Sequence, residues 1–269
     1  MLTLPLPARR RALRLGALVL AFGCTLPAAA ADLFDTVKTR GTLRIAMEGT
    51  YPPFNFKDGK SGQLAGYDVD VARAVAAKLG LKPEFVTTEW SAILAGLAAG
   101  KYDVIISQVG ITARREQAFD FSRPYTYSAP QLIVRRNESL SYKKLEDLKG
   151  KTLGVGQGSV FEQQAKAVPG IEVKSYPAAP ENLQDLAFGR IDAALNDSLM
   201  VAYLLKKSQL PIKAGARVGA PERMGIAFRK GSPRFKAAVD KALDGLQADG
   251  SLAAMSTRWF GSDASRPAR

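Results

Sequence analysis

Apolar positions along this chain fall into two alternating rhythms. Residues 43–47, 83–86 and 104–106 are short apolar runs that read as strands. Between them, Val71, Val75 and Leu79 share one face of a helix that opens on Asp68 as its cap and ends at Gly80. Ile93, Leu94 and Leu97 mark a second helix from Ser91. Strands alternating with helices predict a parallel sheet. The pattern then continues with a strand over 131–134 that leaves this unit, a short helical turn over 145–149, and a strand over 151–155. A strand over 225–228 returns to the first unit, a helix over 240–246 closes it, and Trp259-Phe260 anchors the end.

Two of these blocks recur. Thr42-Leu-Arg-Ile-Ala46 resembles Thr152-Leu-Gly-Val-Gly156, and Leu97-Ala-Ala-Gly-Lys-Tyr-Asp-Val-Ile-Ile106 resembles Leu186-Ala-Phe-Gly-Arg-Ile-Asp-Ala-Ala-Leu195. In each, a glycine beside a basic residue ends a helix, which suits both the left-handed cap and the helix dipole. Two similar halves predict an α/β, bilobal fold with a ligand cleft and a two-strand hinge. The first lobe takes 32–126 and a return segment over 224–269; the second takes 127–223.

The N-terminus stands apart. Arg9, Arg10, Arg11 and Arg14 precede an apolar run from Leu15 to Phe22, and Ala28 to Ala31 offer small residues for cleavage. Residues 1–31 therefore read as a signal peptide, with an apolar run too short for a membrane span. The Arg10-Arg11 pair hints at twin-arginine export, but the general secretory pattern fits better. Cys24, the only cysteine, lies inside this segment. Phe22 fits poorly the small residue expected ahead of a lipidated cysteine, so cleavage at Ala30 or Ala31 is expected over lipid anchoring. The mature chain of about 240 residues then holds no thiol and relies on an ordinary core, for which it is long enough.

The formal charge is +13, and removal of the four signal arginines leaves about +9. Lysines and arginines are scattered among acids, and export also argues against a nucleic-acid partner. The chain has no histidine. That removes the commonest general base and, with no mature cysteine, the usual transition-metal ligands. No cofactor and no metal are expected.

Candidate chemistry concentrates where strand 104–106 runs into Ser107-Gln-Val-Gly-Ile-Thr-Ala-Arg-Arg-Glu-Gln-Ala-Phe-Asp-Phe-Ser-Arg-Pro-Tyr125. An arginine just past a strand end can clamp a carboxylate with two parallel hydrogen bonds. In open α/β sheets that edge is where small ligands bind. Glu116 and Gln117 read as surface. Gln157-Gly158-Ser159-Val160 opens a helix whose free N–H groups suit an anion, and no Gly-Lys-Ser/Thr follows to make it a phosphate loop.

An ordered set of motifs extends this picture. Glu48-Gly-Thr-Tyr-Pro-Pro-Phe-Asn-Phe56, Gly66-Tyr-Asp-Val-Asp70, Gly100-Lys-Tyr-Asp103, Asp120-Phe-Ser122 with Pro124-Tyr125, and Asp147-Leu-Lys-Gly-Lys151 occur in turn. Asp249-Gly250 and Arg258-Trp-Phe-Gly261 close the series. Together they resemble the polar-amino-acid solute-binding proteins of bacterial ABC importers, over essentially the whole mature chain. Glu48-Gly-Thr-Tyr-Pro-Pro-Phe54, Trp90, Ser107-Gln-Val-Gly-Ile-Thr112 and Gly154-Val-Gly-Gln-Gly158 bring the cystine-binding members nearest. Binders of basic amino acids share part of this, including an acid at the Glu48 position.

The resemblance implies roles. Arg115, rather than Arg114, aligns with the arginine that takes the ligand carboxylate, with Thr112 and Gly110 beside it and Gln108 at the site or its rim. Asp197 aligns with the acid that receives the α-ammonium; read alone it would be a helix cap, and Asp192 serves the fold. Ser159 and Val160 align with the second lobe's carboxylate contact, Val160 through its backbone alone. Tyr51, Trp90 and Phe54 form apolar walls, and Glu48 meets a distal ammonium. The implied partners are an amino acid, most readily cystine, and an inner-membrane permease with its ATPase; the protein is expected to be a periplasmic monomer. A thiol-free receptor also suits a disulfide ligand, which a thiolate would attack.

Two other classes stay open at this stage. A periplasmic cyclohexadienyl dehydratase of similar fold would use Glu48 or Glu89 as general acid. A signalling receptor would need a separate membrane partner.

Overall fold

The apolar runs become sheet strands in the computed structural model, which describes residues 32–207 and 209–267 together with Leu2. The expected signal peptide, with Cys24, otherwise lies outside the described residues. Helix α1 (Leu33–Arg40) leads to β1 (Thr42–Met47), and a small antiparallel sheet follows from β2 (Thr50–Tyr51), β3 (Asn55–Lys57) and β4 (Leu64–Ala65). Then come α2 (Tyr67–Lys78), β5 (Lys82–Thr87), α3 (Trp90–Ala98), β6 (Val104–Gly110), α4 (Ala113–Ala118), β7 (Phe119–Phe121) and β8 (Thr126–Ser128).

The second lobe runs β9 (Pro130–Arg135), a 3-10 turn (Leu145–Leu148), β10 (Thr152–Gly156), α5 (Val160–Lys166), β11 (Glu172–Tyr176), α6 (Ala179–Ala187), β12 (Ala193–Asp197), α7 (Ser198–Lys207) and β13 (Ile212–Arg217). Strand β14 (Glu222–Arg229), α8 (Pro233–Ala248) and α9 (Ser251–Phe260) return to the first lobe.

The internal repeat is a repeat of topology. The first large sheet runs β5-β1-β6-β14-β7, with β8 also paired to β14; the second runs β11-β10-β12-β9-β13. In each, three parallel strands are followed by an antiparallel one that comes from elsewhere in the chain: β14 in the first, β9 in the second. Thr42 pairs with Lys82 and Thr152 with Glu172, so the two repeated blocks hold equivalent positions.

Val71 and Val75 are buried on the predicted face of α2, against Ile45, Phe228 and Val239. Ile93 and Leu97 bury the other face of the first sheet with Ile105 and Phe121. In the second lobe Leu132, Leu153, Phe161 and Leu195 form a separate core. Phe260 packs on Phe54 and Tyr67 with ring centroids 5.5 and 4.8 Å away, which makes the predicted anchor a real one.

Asp68 is not the cap of α2. Gly66 holds that position with φ 127°, and Asp68 lies inside the first turn, fully buried. A Cβ on Gly66 would sit 2.2 Å from the Phe54 carbonyl oxygen, so the chain there admits only glycine. The returning strand also starts earlier than the apolar pattern indicated, at Glu222, because residues 222–224 pair with β8.

The chain passes between lobes twice. Ala129 separates β8 from β9, and residues 218–221 separate β13 from β14. The two passages lie side by side: Ser128 pairs with Glu222, and the Val218 N–H donates to the Pro130 carbonyl at 2.8 Å.

Candidate functional site

The carboxyl ends of β1, β6, β10 and β12 converge on one cavity between the lobes. From the first lobe it is lined by Glu48, Tyr51, Trp90, Gln108, Gly110 and Arg115, and from the second by Ser159, Val160 and Asp197. Ser107, Met224 and Asn196 also face it, although sequence reading had assigned them no role.

Two predicted contacts lie elsewhere. Thr112 faces an adjoining hollow rather than the cavity, because its hydroxyl is spent as the cap of α4 and accepts from the Arg115 N–H at 3.2 Å. Phe54 is fully buried behind Tyr51, with ring centroids 5.0 Å apart. It supports the wall and does not form it.

Arg115 is 5% exposed and is stacked near Trp90, its guanidinium carbon 5.6 Å from the ring centroid. One nitrogen donates to the Gly110 carbonyl at 2.9 Å and another to the Gly158 carbonyl at 3.1 Å, in the opposite lobe. No acid pairs with it among the described residues. Burial pulls its pKa down to about 10, against the opposing pull of the Glu222 charge. Gly110 packs closely: a Cβ there would meet Val160 Cγ1 at 3.1 Å and Arg115 Nη1 at 3.4 Å.

Asp197 is the complementary charge across the cavity, 1% exposed. One carboxylate oxygen caps α7, accepting from the Leu199 and Met200 N–H groups at 2.8 and 3.4 Å, and the other accepts from the Ser128 hydroxyl. The cap reading and the cavity reading therefore both hold. Burial raises its pKa to about 6, partly opposed by those donors. Arg115 and Asp197 stand in opposite lobes, face one cavity, and do not pair with each other.

Tyr51 adds a direct link between lobes, its hydroxyl donating to Asn196 Oδ1 at 2.6 Å. The same oxygen accepts from the Asp197 N–H at 2.8 Å. A polar pair straight after an apolar strand was the available signal for Asn196. Ser159 caps α5, accepting from the Glu162 N–H at 3.1 Å.

Glu48 is 8% exposed, and no hydrogen bond or ion pair reaches its carboxyl group among the described residues. Burial, with the Asp68 charge beside it, lifts its pKa to about 8. Glu222, at the hinge, was also missed. It accepts from Gln164 Nε2 across the lobes at 2.7 Å, and burial together with Asp197 lifts its pKa to about 7. Among the described residues no cluster of His, Cys, Asp and Glu is arranged for a metal, and no helix is long and apolar enough to cross a membrane.

Residues 43–262 match the bacterial extracellular solute-binding proteins, family 3. The L-cystine-binding protein TcyJ of Escherichia coli (strain K12) is 40% identical over 235 residues, 87% of this chain and 88% of that protein. The L-cystine-binding protein TcyA of Bacillus subtilis (strain 168) is 37% identical over 236 residues, 87% of each chain. A solved structure of an ancestral arginine-binding protein bound to glutamine is 40% identical, with a TM-score of 0.78 over 83% of this chain and 99% of that one. With two α/β lobes facing one cavity, and a family match that spans both, this chain belongs to the bacterial extracellular solute-binding proteins, family 3.

Proposed function

We propose that this protein is the periplasmic receptor of an amino-acid ABC importer, that it is exported by cleavage of residues 1–31, and that its ligand is L-cystine. The observation that carries this reading is Arg115 and Asp197 on opposite walls of one cavity, neither of them in an ion pair among the described residues. A zwitterion supplies the missing partner of each at once and bridges the lobes, so it selects the closed form. Arg115 takes the α-carboxylate, helped by backbone N–H groups near Gly110 and at the start of α5, and Asp197 takes the α-ammonium. Tyr51 and Trp90 exclude water around these charges, which strengthens them. Micromolar binding needs only about 8 kcal/mol net.

Glu48 is the candidate for a second ammonium. Cystine carries one, and so do lysine and arginine, which is the reason to keep a basic amino acid as the second reading. Turnover is not part of the proposal, since a zwitterion clamp without histidine or cysteine is built to hold its ligand. The closed receptor would then deliver its cargo to the membrane permease and its ATPase.

A thermal-shift screen of ligand-stripped mature protein tests this, because a ligand that binds the folded form raises the melting temperature by mass action. Cystine is expected to give the largest rise among cystine, cysteine, arginine, lysine, histidine, glutamine and glutamate. A rise mainly with arginine or lysine would reassign the specificity to Glu48. Absence of any rise, with aromatic product formed from arogenate or prephenate, would replace the receptor with an enzyme.

A further inference from the structure

The cavity floor holds a backbone conformation that its own sequence disfavours. Gln108 has φ 51°, the single positive value outside glycine among the described residues. An L side chain is strained there, and such residues persist where their surroundings fix them. The strain sits on a bulge. Ile105 pairs with Ala227 and Val109 with Gly225, so four steps along β6 span two along β14. The bulged stretch supplies Ser107 and Gln108 to the cavity lining, and Gly110 follows just beyond it.

One buried carboxylate beneath the floor ties this bulge down. Asp68 Oδ1 accepts from Gln108 Nε2 at 2.7 Å and from the Tyr125 hydroxyl at 3.0 Å. That hydroxyl in turn accepts from the Gln108 backbone N–H at 3.1 Å. Asp68 Oδ2 accepts from Asn55 Nδ2 at 2.8 Å, and Asn55 also reaches the Ser107 hydroxyl at 3.2 Å. Side chain, backbone and neighbour of the strained residue are thus all routed to Asp68. The carboxylate is itself fixed by its place in the first turn of α2, where its N–H donates to the Phe54 carbonyl at 2.8 Å and the helix dipole favours a negative charge. Asp68 is fully buried and absent from the cavity lining.

We infer that Asp68 is a positioning residue for ligand binding, which holds Gln108 in its left-handed conformation from below and so sets the shape of the floor from Ser107 to Gly110. The inference rests on the amino-acid-receptor reading. A residue that merely supported the fold would act independently of Gln108; a positioning residue would not. Glycine adopts φ near 50° without strain, so Gln108→Gly removes the need for the clamp.

The test is a double-mutant cycle on the mature protein, read by calorimetric titration with L-cystine and, in parallel, L-arginine. Asp68→Asn keeps the shape but turns an amide donor toward groups that already donate. It is expected to weaken binding about tenfold or more with Gln108 present and by less than about threefold in the Gln108→Gly background. An equal loss in both backgrounds, or none in either, would overturn the inference while leaving the receptor reading intact. Failure of the wild type to bind either amino acid would overturn the receptor reading and this inference with it. Tyr125→Phe, which removes the hydroxyl joining Asp68 to the Gln108 backbone, gives a second cycle with the same expected pattern should Asp68→Asn not fold.

Discussion

Arg115→Ala is expected to abolish the ligand-induced rise in melting temperature and to weaken amino-acid binding by about 100-fold or more. The guanidinium is a rigid fork that matches a carboxylate, and truncating one member of a buried ion pair leaves the other charge without a partner, at about 3–5 kcal/mol. At about 1.4 kcal/mol per factor of ten, that is at least two orders of magnitude. The empty protein should respond with the opposite sign. There Arg115 is a buried cation whose side-chain hydrogen bonds among the described residues go to carbonyl oxygens, and burial already pulls its pKa down to about 10. Its removal relieves that penalty, so the unliganded melting temperature should stay level or rise. Arg115→Lys keeps the charge without the fork and should fall between the two. A wild-type ligand shift in folded Arg115→Ala would remove Arg115 from the carboxylate site. Scanning calorimetry with and without ligand reads both effects.

The second large effect belongs to Glu48 and to pH. Its pKa is raised from the ordinary glutamate range to about 8 in the folded protein, by burial and by Asp68, and returns to that range on unfolding. Between roughly pH 5 and 8 the folded chain therefore holds a proton that the unfolded chain releases, and stability falls as pH rises through that window. Glu48→Gln carries no such proton. Its melting temperature should change less steeply from pH 5 to 8 and exceed that of the wild type at the alkaline end. The ceiling is on the order of 5 kcal/mol, or roughly 10–20 degrees. Asp68, Asp197 and Glu222 have pKa values raised to about 6, 6 and 7, and they tilt both proteins in the same direction, so the difference between the two curves reads Glu48 together with its coupling to Asp68. Ligand binding should reveal the same proton. A distal ammonium favours the ionised carboxylate, so affinity for a doubly cationic amino acid should climb from pH 6 toward 8 in the wild type and stay flat in Glu48→Gln. Parallel slopes in the two proteins would show that another group titrates.

What could be read from sequence followed from how local each signal was. Strand β6 was legible as an apolar run and the arginines beyond it as candidate carboxylate clamps, but the choice of Arg115 over Arg114 came from the family resemblance. Asp68 was misread because, locally, an Asp ahead of an apolar helix is a cap; its real partners Asn55, Gln108 and Tyr125 lie 13, 40 and 57 positions away. Asn196 was missed for the same reason, with Tyr51 145 positions distant. Tyr51 and Phe54 were both read as walls, yet only Tyr51 has a hydroxyl that must be satisfied, and that hydroxyl draws it to the cleft. Thr112 stood at a helix start, where capping competes with ligand contact, and capping won.

The pairing of Ser128 with Glu222 has a consequence for assembly as well as for movement. The second lobe leaves and rejoins the first at one point, so it is an uninterrupted stretch of chain whose ends meet. The first lobe is built from two pieces on either side of it. Ser232 accepts a hydrogen bond from the Leu33 N–H, 199 positions earlier, and β14 lies between β6 and β7, both of which precede the second lobe. Contacts so distant in sequence carry the larger loop-closure cost. The second lobe has all its strands once Arg217 is available, whereas the first lacks an interior strand until the chain has passed through its neighbour and come back. The half that begins the protein is thus the half that must wait for its end.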